Sequence, residues 1–136
     1  MPETHETHIH RVVYYPEASL LKHEFLARTT PLAWVELQGA FRTYIEFLKL
    51  HKPEYVLVDA SRLNFIFHKE MQEWVNTNVV EALRQTKIKK WAALVSTQFF
   101  SQVSIEQTME SKKDYEFETK YFDSEEDALK WLLNKD

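Results

Sequence analysis

The chain has 136 residues, 44% hydrophobic and 28% charged, with a formal net charge of -4. That length fits one domain able to bury most of its apolar surface, and the composition excludes disordered, collagenous and membrane-spanning classes. The acidic balance supplies no field for a phosphate backbone, so no nucleic acid partner is expected.

Two residue counts narrow the chemistry further. There is no cysteine, which removes disulfides, thiol nucleophiles and Cys-ligated zinc and suits a reducing compartment, and the expected location is cytoplasmic. Gly39 is the single glycine, so the glycine-rich loops that cradle phosphates in nucleotide-binding proteins are missing. No cofactor is expected. No stretch approaches the run of about 20 apolar residues that spans a bilayer, and the opening residues lack the basic end and apolar run of a secretory signal.

Residues 1–9 are polar and read as a flexible tail, with the domain proper from residue 10 to 136. The tail and its border carry His5, His8 and His10, a spacing that suits a transition metal only when other ligands complete the set, and it reads as a tail with no metal. Arg11 to Tyr15 and Ser19 to Leu26, parted by Pro16-Glu17-Ala18, predict a β-hairpin. Thr30 and Pro31 offer an N-cap and first helical position. Leu37, Phe41, Tyr44, Ile45 and Leu48 then recur at helical spacing until His51-Lys52-Pro53 stops the helix.

Tyr55 to Val58 is a short apolar run of the kind buried on both faces of a parallel sheet. The polar turn Asp59-Ala60-Ser61-Arg62 follows, then the apolar segment Leu63 to Phe67. From His68 a helix is predicted on Met71, Trp74, Val75, Val79, Ala82 and Leu83, the strongest helical periodicity in the chain. Trp91 to Val95 is a second buried-type strand, closed by Ser96-Thr97-Gln98. Phe99 to Met109 reads as a weaker helix and Tyr115 to Phe122 as a strand. Ser124 and Asp127 form a capping box for a final helix anchored by Ala128, Leu129, Trp131, Leu132 and Leu133.

Helices alternating with short apolar strands predict an α/β fold. The expectation is a mixed, mostly parallel sheet of about five strands, about four helices on its two faces and an N-terminal β-hairpin.

The strand YVLVDAS with the following LNFIFHKEMQEW, the strand WAALVS and the ending YFDSEEDALKWLL together resemble the SpoIIAA-like group of STAS and SEC14-type domains, over roughly residues 11–134. The resemblance implies a βα superhelix without enzymatic activity. Anti-sigma factor antagonists of this group carry an Asp-Ser pair where a loop enters a helix, and a partner kinase phosphorylates the serine. Laid on this chain the pair falls at about Phe67 and His68, so the resemblance implies binding without that phosphoacceptor. The implied partner is a protein or a small apolar ligand, with a homodimer as the expected assembly. SEC14-type lipid binding is the alternative.

In open α/β sheets ligands bind beyond the carboxyl ends of the parallel strands. That edge gathers Asp59, Ser61, Arg62 and His68 after the first buried strand, and Ser96, Thr97 and Gln98 after the second. These are the candidate ligand- or partner-binding residues, with no catalytic or metal residue assigned. A base at Asp59, a partner at His68 and a serine nucleophile are conceivable chemically, but no nucleophile elbow orients either serine. Asp and Ser after a strand are also ordinary turn formers that bond their own backbone, Arg62 beside an aspartate suits a solvent-facing pair, and His68 suits a helix cap. Arg84, Lys87, Lys89 and Lys90 form a small basic cluster best read as solvated charge.

Overall fold

The structure, a computed structural model, describes residues 3–26, 33–62, 68–95 and 117–134. Six strands form one sheet in sequential order: β1 (Glu3–Glu6), β2 (His10–Tyr15), β3 (Leu20–Phe25), β4 (Tyr55–Asp59), β5 (Lys90–Leu94) and β6 (Glu118–Phe122). The pairings β1–β2 and β2–β3 are antiparallel and the other three are parallel, so the sheet is mixed, as expected, with one strand more than the sequence indicated.

The additional strand is β1. Residues 3–6 lie in the segment read as a tail, yet they pair in register with β2, from Glu3 opposite Tyr14 to Glu6 opposite Arg11. All four residues are exposed, so no apolar alternation betrays this strand. The β2–β3 hairpin turns at Pro16–Ser19, where Ser19 takes a left-handed φ of 50°. The Ser19 carbonyl then accepts from the Glu54 and Tyr55 N–H groups, both at 3.0 Å, which pins the turn to the start of β4.

Helix α1 (Trp34–His51) crosses from β3 to β4. Its N-cap is Ala33, in place of the expected Thr30, which lies outside the described residues along with Pro31. Alanine has no capping oxygen; Glu36 instead reaches back to accept from the Ala33 N–H at 3.2 Å. The helix stops at Lys52, whose φ of 46° returns its N–H to the Leu48 carbonyl ahead of Pro53.

The second crossover is less regular than its periodicity suggests. Helix α2 (Lys69–Val75) passes through a π-turn over Asn76–Val80 into helix α3 (Glu81–Arg84). Asn76, Thr77 and Asn78 are three weak helix formers in succession, and the Asn78 side chain donates back to the Trp74 carbonyl at 2.8 Å. Val79 within the π-turn and Ala82 and Leu83 beyond it are buried, whereas α2 has no buried residue. Leu63 to Phe67 and the helix expected over Phe99 to Met109 lie outside the described residues. Helix α4 (Glu125–Leu133) closes the chain, capped by the Ser124 hydroxyl, which accepts from the Asp127 N–H at 3.4 Å.

Strand alternation sorts the core into two layers. Val12, Leu21, Phe25, Val56 and Val58 face α1 and the α2–α3 helix, with Leu37, Phe41, Tyr44 and Leu48 packed on them. On the other face Leu20, Leu57, Ala92 and Leu94 meet Ala128 and Leu132 of α4. Both described crossovers therefore share one face, and among the described residues α4 supplies the helix on the other. The four tryptophans are partly buried at the margins of these layers. No helix among the described residues is long and apolar enough to cross a membrane.

Candidate functional site

The strand-end candidates begin where β4 stops. Asp59 is 9% exposed, and both the backbone N–H and the hydroxyl of Ser61 donate to its Oδ1, at 3.1 and 2.6 Å. This is an Asx turn. The Ala60 N–H donates to the Leu94 carbonyl at 2.8 Å, which ties the turn to the end of β5. Asp59 and Ser61 thus come together as the sequence placed them, in the turn-forming role. Both bonds fall on the same carboxylate oxygen.

Arg62, next in the turn, is exposed. His68 occupies the N-cap of α2 and its carbonyl accepts from the Gln72 N–H at 3.0 Å, but its side chain makes no capping bond and is exposed. Residues 63–67, between the two, lie outside the described residues. Ser96, Thr97 and Gln98 lie outside the described residues.

The basic cluster near residue 90 is held by local partners. Lys89 pairs with Glu54 at 2.8 Å, and Lys90 donates to the Trp131 carbonyl at 2.9 Å while its ammonium lies 5.2 Å from the Trp131 ring centre. The sheet face of β1 to β3 that α4 leaves uncovered holds a shallow depression of about 380 Å³ lined by Thr4, Glu6, Arg11, Val13, Tyr15, Lys22 and Glu24. Its cations are paired, Arg11 with Glu24 and Glu6, and Lys22 with Glu125.

A second cluster lies on the α1 face and was not legible as a site. His10 of β2 and His23 of β3 are buried, and His10 Nδ1 stands 3.0 Å from His23 Nε2. His23 is wholly enclosed: its ring stacks on Tyr44 at 4.7 Å and lies 4.5 Å from Phe25, centre to centre. Its Nδ1 has no hydrogen-bond partner among the described residues. A buried N–H without an acceptor is rarer than a bare lone pair, so His23 carries its proton on Nε2 and donates it to His10 Nδ1. Burial holds the His10 pKa down to about 4, with a smaller contribution from His5, and holds His23 well below the ordinary value, with His10 adding to it.

The two other histidines of the N-terminal tract part company. His5 of β1 packs edge-on against His10 at 5.7 Å, while His8 turns to Glu36 at 3.8 Å. Among the described residues no group of three or more His, Asp or Glu side chains is arranged to hold a metal ion. A signal for His23 did exist: it sits between Leu21 and Phe25 at the inward positions of an alternating strand. A lone histidine at such a position does not reveal its partner.

Comparison with protein-family models, with curated proteins and with solved structures finds no match to this chain.

Proposed function

We propose that this chain is a non-enzymatic binding or regulatory domain of the SpoIIAA-like type, without the phosphoacceptor serine of anti-sigma factor antagonists, and that it recognises a protein partner as a homodimer. The observation that carries the reading is the turn at the end of β4. Ser61 donates twice to Asp59 Oδ1, which fixes the turn that leaves Arg62 exposed, and His68 at the start of α2 is exposed as well. Loop residues held out from a rigid sheet edge are suited to recognition. The sequential order of the parallel strands β3, β4, β5 and β6 supports the family reading, since a βα superhelix lays its strands down in that order.

Native mass spectrometry of the purified protein separates this from the alternative, a SEC14-type protein for lipid or another small apolar ligand. The reading predicts a dimer of the 16.3 kDa chain with nothing lipid-sized attached. A co-purifying lipid mass would move the alternative ahead.

A further inference from the structure

The buried histidines lie beneath the β1 edge of the sheet. His10 is 2% exposed, and its cover on the outer side is β1, whose His5 ring packs against it. β1 is four residues long, exposed at every position, and bonded to a single neighbour, β2. Edge strands of this kind open at small cost.

We propose that the His10–His23 pair is an acid-sensitive latch: when the pair takes up a proton, β1 leaves the sheet and His10 reaches water. The contact between the rings works with one shared proton. A second proton puts two ring N–H groups against each other, or puts an N–H on His23 Nδ1, where no acceptor is found among the described residues.

Among the described residues the surroundings give a charge on the pair no free counter-charge. From β1 the facing titratable group is His5, an imidazole that brings no negative charge to the pair. From α1 come Phe41 and Tyr44; the Tyr44 hydroxyl accepts from the Trp91 N–H at 3.2 Å, and burial raises its pKa, so it stays neutral. From β4 the residue paired with His23 is Val58, and from the α2–α3 helix the packing groups are apolar. Tyr14 on β2 stacks on His51. The carboxylates nearest this face are engaged, Glu3 with His51 at 2.8 Å and Glu36 with His8. Arg11, Glu6 and Glu24 lie on the opposite face of the sheet. Relief must therefore come from water, and β1 is the shortest way to it.

Hydrogen–deuterium exchange on the full chain tests this, read as protection relative to intrinsic exchange between pH 7 and pH 4.5. With His10 at about 4 in the closed state and about 6.5 once exposed, the opening equilibrium of β1 rises roughly 60-fold over that range. Residues 3–6 are expected to lose protection by that order while Leu20–Phe25 keep theirs, and His10→Phe is expected to hold β1 closed at pH 4.5. Unchanged protection of β1, a loss shared equally by β3, or the same loss in His10→Phe would overturn the proposal. Should that variant not fold, imidazole ¹⁵N shifts of the unaltered protein decide: proton uptake by His10 is expected together with the loss of β1 protection. Uptake with β1 still protected would overturn it.

Discussion

Replacing Asp59 measures how much the strand-end turn contributes. The carboxylate accepts two bonds from Ser61, one from the backbone N–H at 3.1 Å and one from the hydroxyl at 2.6 Å. Hydrogen bonds to a charged acceptor contribute about 1.5 to 3 kcal/mol when buried, and less here because Ser61 is exposed and water can replace Asp59 as its partner. Asp59→Ala is therefore expected to cost about 2 kcal/mol and Ser61→Ala about 1 kcal/mol. Asp59→Asn keeps an acceptor at Oδ1 and should recover about half of the loss. Because the hydroxyl bond belongs to both residues, the double variant should cost about 1 kcal/mol less than the sum of the singles. Urea denaturation at pH 7 reads these differences as shifts in midpoint at constant slope. An Asp59→Ala variant as stable as the parent, or two fully additive substitutions, would refute the assignment of Asp59 to the turn.

Three further outcomes follow from the packing and the buried histidines. Gly39→Ala should stabilise by about 0.5 to 1 kcal/mol, since Gly39 lies exposed in the middle of α1 and an added methyl meets nothing within 4 Å; thermal unfolding checks it. Leu132→Ala should cost about 3 kcal/mol, because Leu132 is fully enclosed between α4 and the β4–β5 face, and a urea titration would show the midpoint fall. Stability should decline as pH drops from 6.5 towards 4. The folded chain holds His10 neutral down to about 4, while the unfolded chain binds that proton at about 6.5 and so gains on acidification. At pH 4 the loss reaches about 3 kcal/mol from His10 alone, and His10→Phe should lose less by about that amount when the two are titrated in parallel.

Most of the framework could be read from side-chain period. The hairpin, α1, β4, β5 and α4 stand out because each buries an apolar stripe, at alternate residues in the strands of the hairpin and at three- and four-residue steps in the helices. β1 escaped because its four residues all face solvent: backbone pairing holds it, and pairing leaves no mark on the sequence. The π-turn escaped for a related reason. Val79, Ala82 and Leu83 keep an almost regular spacing from Trp74, and only the polar run Asn76-Thr77-Asn78 hints that the helix widens there.

The strand-end candidates divide along the same line between local and distant effects. The Asp59–Ser61 bond spans two residues and follows from local turn chemistry. The meeting of His10 with His23 spans thirteen positions and depends on hairpin register, with Val12 opposite His23. Residues near in sequence were assigned to their roles, while partners brought together by folding were not.

The claim that matters most is that the loop between β4 and α2 recognises a protein partner. Affinity capture from the source cell, run side by side with the parent chain and an Arg62→Glu, His68→Glu double variant of equal thermal stability, tests it most directly. The account predicts a defined protein held by the parent and lost from the variant. Equal capture by both would contradict it.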